Sequence, residues 1–210
     1  ISKIENQQGI DNLDDILSNC YGVMIARGDL GVEIPAEKIP LIQKKIVQRC
    51  RARKKPVIVA TQMLHSMIES PRPTRAEVTD VANAITQSTD AIMLSGETAS
   101  GKYPIEAVRT MSAIAIEMEN TIDTSLDVNL EDVSKPIAAV LARSLVAATL
   151  QIPVKAIILD TWTGRTGRYL AEFRPKVPIY AMCYNAFTMR ELALTYDIYC
   201  YKFEIAGSKE

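Results

Sequence analysis

The chain has 210 residues, 48% of them apolar and 23% charged, which excludes an intrinsically disordered or collagen-like polymer. Lys and Arg number 24 against 25 Asp and Glu, so no global charge attracts nucleic acid or an anionic membrane, and neither is expected as a partner. At about 150 residues per domain the length corresponds to about one and a half domains. Together with Ile rather than Met at position 1, this reads as part of something longer. The first residues lack the charged region and cleavage pattern of a signal peptide. Apolar runs fall short of the roughly 20 residues of a membrane helix.

Four short apolar runs recur in the first half: Ile1 to Ile4, Tyr21 to Ala26, Pro56 to Ala60 and Ala91 to Leu94. They are too apolar for half-exposed strands and too short for helices, as expected of parallel strands covered on both faces. Helical patterns lie between and after them. Pro35 to Arg49 sets Ile39, Ile42, Ile46 and Val47 on one face, and Pro104 to Met118 does the same with Ile105, Val108, Met111, Ala115 and Met118. Thr74-Arg-Ala-Glu77 has the form of a capping box that opens a third helix. The pattern is βα repeated four times, either an open doubly wound sheet or half of an eight-stranded barrel.

Asn120 to Asp132 is polar and acidic and reads as a linker. Then come a long helix from Lys135 to Leu150 and three strands, Val154 to Leu159, Val177 to Met182 and Ile198 to Phe203. Helices at Arg165 to Phe173 and Ala186 to Tyr196 separate those strands, making a second, smaller α/β unit that runs to Glu210.

Cys20, Cys50, Cys183 and Cys200 match neither a zinc spacing nor a CxxC pair. They read as reduced, mostly buried thiols of a cytoplasmic protein. His65 is the only histidine and reads as a surface or packed helix residue, which argues against a Ser-His-Asp triad, a Cys-His dyad and an HExxH site. The chemistry falls to Lys, carboxylates, hydroxyls and a hard metal ion.

Each apolar run of the first half ends in polar groups: Lys3 and Glu5, then Arg27, Gly28 and Asp29, then Thr61 and Gln62, then Ser95 and Glu97. Barrel enzymes gather catalytic residues at the carboxyl ends of several strands, which favours the half-barrel. Glu5 and Asp29 read either as hard oxygen ligands for Mg²⁺ or as solvated loop acids. Lys3, two residues before Glu5 and on the same strand face, reads either as a charge neutraliser for a phosphoryl group or enolate, or as an ion-pair partner of Glu5. Arg27-Gly28-Asp29-Leu30-Gly31 reads as a glycine turn whose amides approach a substrate carboxylate. Thr61 and Ser95 either bind substrate or satisfy loop backbone. In the second unit, Asp160 to Gly167 runs from strand to helix. Its hydroxyls, glycine turn and first-turn amides, with Arg165 and Arg168, read as an anion site or as plain helix capping. The Walker lysine is missing there.

Five stretches, Ile1-Ser-Lys-Ile-Glu-Asn6, Val23-Met-Ile-Ala-Arg-Gly-Asp-Leu-Gly31, Ala60-Thr-Gln-Met-Leu64, Pro71-Arg-Pro-Thr-Arg-Ala-Glu77 and Ile92-Met-Leu-Ser-Gly-Glu-Thr-Ala99, closely resemble the pyruvate kinase family in the same order. The resemblance continues, more loosely, through Thr161 to Thr166 and Glu172-Phe-Arg-Pro175. It implies an α/β fold: four βα units of a TIM-type barrel, its last half, over residues 1–120. A smaller α/β regulatory domain with an open, mainly parallel sheet, truncated, follows over 121–210. The family's first barrel half and cap domain have no counterpart.

The resemblance further implies phosphoryl transfer from phosphoenolpyruvate to ADP, giving pyruvate and ATP, in a cytoplasmic homotetramer of glycolysis. Lys3 would stabilise the transition state, Glu5 and Asp29 would bind Mg²⁺ (or Mn²⁺), and Gly28 and Asp29 would hold the substrate carboxylate. Thr61 would contact substrate near the enolate carbon, and Ser95 would belong to the network that protonates it. K⁺ would be held by residues absent from this chain. Thr161, Thr163, Gly164, Arg165 and Thr166 align with the family's effector phosphate loop, pointing to a sugar-phosphate effector. The 210 residues alone are expected to be inactive. Two other readings are a Mg²⁺-dependent barrel lyase acting on pyruvate enolate and a non-catalytic fragment that binds a phosphate effector.

Overall fold

A computed structural model describes residues 1–124, 126 and 136–204. Most of the expected linker, residues 125 and 127–132, lies outside the described residues, as do Lys135 and residues 205–210. The chain divides into two compact units, Ile1–Ile122 and Asp123–Glu210.

The first unit holds four parallel strands in sequential order: β1 (Ser2–Ile4), β2 (Val23–Ala26), β3 (Val57–Ala60) and β4 (Ala91–Met93). Lys3 lies opposite Met24, Ile25 opposite Val59 and Ala60 opposite Met93, so the four carboxyl ends emerge on the same side. With the right-handed crossovers of parallel strands, sequential order puts every connecting helix on one face, as in a barrel; a doubly wound sheet reverses its order instead. β3 is buried along its whole length, as its Val-Ile-Val-Ala sequence requires. Ile4, Leu17, Ile25, Val47, Val59 and Val81 meet in the core.

The connections are α1 (Gln7–Asp11), α2 (Leu13–Asn19), α3 (Arg27–Glu33), α4 (Ile39–Ala52), α5 (Arg75–Thr86), α6 (Gly96–Ala99) and α7 (Pro104–Glu119). The capping box at Thr74 and Glu77 forms as its spacing predicts. The helix expected from Pro35 begins only at Ile39, after a 3₁₀ turn over Ala36–Lys38. Pro40 is the reason: with no N–H and a fixed φ, it fits the first helical turn and nothing later.

The larger difference is at Arg27-Gly-Asp-Leu-Gly31, expected as a glycine turn. It is the body of α3, and neither Gly28 nor Gly31 has a positive φ. Leu30 is fully buried, and sealing it into the core favours a helical turn over the free loop that two glycines suggest. On α7 the expected apolar stripe is only partly covered: Met111 is buried, while Ile105 and Val108 are exposed.

The second unit has α8 (Pro136–Gln151), β5 (Ile157–Thr161), α9 (Arg165–Glu172), β6 (Ile179–Cys183), α10 (Ala186–Leu192) and β7 (Ile198–Lys202). Its three strands are parallel and sequential. Val146, Tyr169, Leu170, Phe173, Ile179 and Leu192 are among its core residues. The first strand starts three residues later than its apolar run suggests: Val154, Lys155 and Ala156 precede the paired segment.

Candidate active site at the strand ends

The carboxyl end of β1 carries Lys3 and Glu5, and α3, which follows directly on β2, carries Asp29. Lys3 Nζ is 2.6 Å from Glu5 Oε2 and 3.3 Å from Asp29 Oδ2. All three side chains are about half exposed. Hydrogen bonds to Glu5 and then to Asp29 raise the Lys3 pKa above its ordinary value, so the ammonium is firmly charged. Lys3 therefore pairs with Glu5, one of its two sequence readings, and at the same time draws Asp29 to the same point. Two carboxylates converging on one cation fit a small hard ion such as Mg²⁺, which takes one or two protein carboxylates and keeps room for water and substrate oxygens. Among the described residues no cluster of three or more His, Cys, Asp or Glu could hold a metal.

Thr61 follows β3 and is half-buried. Its Oγ1 accepts the Gly28 N–H at 2.7 Å and donates to the Ala60 carbonyl at 2.6 Å. The hydroxyl thus satisfies backbone, the blander of its two readings, and does so at the residue next to Asp29. Both Thr61 and Gln62 lie in the left-handed region, at φ 69° and 53°. For a β-branched residue that conformation costs on the order of 1–3 kcal/mol and persists only where the surroundings impose it. Gly28 leaves room beside this hydroxyl: a Cβ there would sit 3.4 Å from Thr61 Oγ1, an ordinary contact.

Ser95 precedes α6 and is half-buried, and its N–H donates to Glu97 Oε2 at 2.8 Å. Glu97 is 1% exposed, and its Oε1 accepts the Leu64 N–H at 3.1 Å. One buried carboxylate therefore ties the loop after β4 to the loop after β3.

Two contributions escape the sequence reading. Arg27 and Glu97 stand among its strand-end polar groups with no role, and both prove to be buried anchors. Nothing local marks them, since the partners that anchor Arg27 to Thr61 and Asp80, and Glu97 to Leu64, lie 33 to 53 residues away. His65 is exposed in a short 3₁₀ segment, in keeping with the surface reading. All four cysteines are free. Desolvation, first of all, pushes Cys50 and Cys200 up to about 12, which leaves neither thiol nucleophilic near neutral pH.

In the second unit, Thr161 is buried and its Oγ1 accepts the Gly164 N–H at 2.9 Å. Gly164 has φ 72° and caps α9. Thr163, Arg165 and Thr166 are exposed around that helix start, whereas Arg168 turns back to donate to the Thr163 carbonyl at 2.9 Å. Trp162, also exposed, stacks on Tyr184 at 5.3 Å between ring centroids, and the Tyr184 hydroxyl donates to Asp160. The loop is thus internally bonded on one side and open at Thr163, Arg165 and Thr166.

The family profile described as "Pyruvate kinase, barrel domain" matches residues 1–108, and "Pyruvate kinase, alpha/beta domain" matches residues 139–210. A pyruvate kinase of Borreliella burgdorferi is 52% identical over 200 residues, which cover 95% of this chain and 42% of that protein. One from Geobacillus stearothermophilus is 49% identical over 201 residues, 95% of this chain and 34% of the relative. The crystal structure of a pyruvate kinase from Cryptosporidium parvum superposes with a TM-score of 0.89 at 43% identity, covering 96% of this chain and 42% of the other. The chain spans about two-fifths or less of the length of these proteins. With the barrel profile on the four-stranded unit that bears Lys3, Glu5 and Asp29, and the alpha/beta profile on the three-stranded one, this chain belongs to the pyruvate kinase family.

Proposed function

We propose that this chain supplies the strand-end half of the site at which a pyruvate kinase moves a phosphoryl group from phosphoenolpyruvate to ADP. The observation that carries the reading is the Lys3 ammonium lying between the carboxylates of Glu5 and Asp29. Glu5 and Asp29 would hold the divalent ion. When bound, Mg²⁺ supplies Lewis-acid neutralisation of phosphoryl and enolate oxygens. Lys3, charged at neutral pH, swings from the carboxylates to the transferring phosphoryl group and offsets its charge, the large electrostatic term in such reactions. Gly28 and Asp29 open α3 and hold the substrate carboxylate through the Asp29 amide, which has no intrahelical acceptor, since the Gly28 amide is already taken by Thr61 Oγ1.

Thr61, beside Gly28, presents its hydroxyl near the enolate carbon. Ser95, whose loop is fixed by Glu97, belongs to the network that delivers the proton. Residues 1–120 form the catalytic barrel half and 121–210 the regulatory domain, with a sugar-phosphate effector at Thr161, Thr163, Gly164, Arg165 and Thr166. The whole enzyme is a cytoplasmic homotetramer of glycolysis that also uses K⁺. No helix among the described residues is long and apolar enough to cross a membrane.

By itself the 210-residue chain does not turn over, because relatives devote more than half of their length to segments outside the match. A coupled assay of pyruvate formation tests both statements. The isolated chain gives no rate, and a complete enzyme containing it consumes phosphoenolpyruvate only when ADP is present, with loss of activity in Lys3→Met. Consumption without ADP would point to the lyase reading, and ordinary turnover by the isolated chain would remove the claim of inactivity.

A further inference from the structure

We infer that Arg27 is a positioning residue that holds the Thr61–Gln62 turn in its left-handed conformation and so sets the Thr61 hydroxyl beside Gly28. Arg27 begins α3, yet its side chain is only 8% exposed. Nη2 donates to the Thr61 carbonyl at 2.7 Å and to the Gln62 carbonyl at 3.2 Å. Those two carbonyls belong to the two consecutive residues with positive φ. Nη1 binds the Asp80 carboxylate of α5 at 2.7 Å and reaches Gln43 Oε1 of α4 at 3.5 Å. Gln43 in turn donates to Gln87 at 3.0 Å.

The planar fork of a guanidinium suits this role, since one nitrogen takes both strained carbonyls while the other is neutralised by Asp80. A lysine offers a single point charge and cannot span the two sides. Without the fork, nothing else described bonds to the Thr61 or Gln62 carbonyl, and a β-branched residue relaxes out of the left-handed region. Thr61 Oγ1 would then leave the Gly28 amide, 2.7 Å away in this structure. Arg27 acts through Thr61 and touches no substrate. The chemical consequence rests on the function proposed for Thr61, whereas the conformational one does not.

Isotope-labelled chain carrying Arg27→Lys or Asp80→Asn separates the two. Each variant is first shown to melt cooperatively, and backbone carbon shifts and three-bond couplings of Thr61 and Gln62 are then read with the Gly28 amide proton. The expected result is a folded Arg27→Lys protein in which only this turn leaves the left-handed region and the Gly28 amide shifts, with a smaller change in the same direction for Asp80→Asn. Unchanged signals in folded Arg27→Lys overturn the inference; if that variant does not fold, unchanged signals in Asp80→Asn do so. In an active pyruvate kinase that contains these residues, Arg27→Lys and Thr61→Ala each lower kcat at least tenfold with KM for Mg²⁺ unchanged, and the double variant is no worse than the worse single one. Multiplicative losses overturn the route through Thr61. A rearranged turn with unaltered kcat upholds the positioning and removes Thr61 from the chemistry.

Discussion

The buried carboxylate of Glu97 accepts the backbone N–H of Leu64 at 3.1 Å, across 33 residues of chain. Its other oxygen takes the Ser95 amide at 2.8 Å. Glu97→Ala leaves both amides without this acceptor, at about 1–3 kcal/mol for each. Urea unfolding of the variant is expected to show a lower midpoint with an unchanged slope. A midpoint equal to that of the parent chain would show that the Glu97 bridge contributes nothing to the joining of these loops.

Lys3 and a divalent ion want the same oxygens. Removing the ammonium in Lys3→Met therefore raises the affinity of Glu5 and Asp29 for Mn²⁺ several-fold, even as it removes the group assigned to phosphoryl transfer. Water-proton relaxation titrated with Mn²⁺ reads this directly. Weaker binding in the variant would mean that Lys3 organises the carboxylates instead of competing for them.

Glu77 titrates below the usual carboxylate range. Partial burial opposes its ionisation, but the bonds from Ser66 and from Thr74 outweigh it. A depressed carboxyl contributes stability that is fully present above its unfolded value, near 4.5, and is lost as pH falls through the folded value. Glu77→Gln is thus expected to be about 1 kcal/mol less stable at pH 7, with the gap to the parent closing below pH 4.5 as the parent carboxyl protonates. Thermal melts at pH 7 and across the acid range check it; a gap that stays constant would assign the effect to shape and not to charge.

Gly28 and Gly164 make a contrast. Gly28 is helical with ordinary space around its missing Cβ, so Gly28→Ala keeps or slightly raises the melting temperature, in line with a gain of about 0.5–1 kcal/mol for Ala over Gly in a helix. Gly164 has φ 72°, and a Cβ there would lie 2.9 Å from Leu192 Cγ. Gly164→Ala is expected to lose at least about 1–2 kcal/mol from the backbone conformation alone. Equal melting temperatures for the two variants would contradict both assignments.

Much of the fold is legible locally. Val57-Ile-Val-Ala60 reads as a doubly covered strand, Thr74 and Glu77 announce their helix, and Pro104 marks another helix start. The residue types at the strand ends, Lys3 with Glu5 and Asp29 among them, are also there to be read, because each apolar run stops where a polar group begins. What the local pattern misjudges is the segment after β2: two glycines within five residues suggest a turn, and only burial of Leu30 explains the helix.

Strands, helices and a set of polar strand ends of the pyruvate kinase type thus follow from the order of residues. Which of those ends meet follows only from how the strands pair. The parallel register puts Ala26 beside Ala60 and Ala60 beside Met93. That alignment lets Arg27 reach the Thr61 and Gln62 carbonyls and Glu97 reach Leu64. These partners are separated by tens of residues, so no local propensity encodes them. The contacts exist because buried strands must pair their backbone hydrogen bonds, and pairing fixes the relative height of every loop that follows.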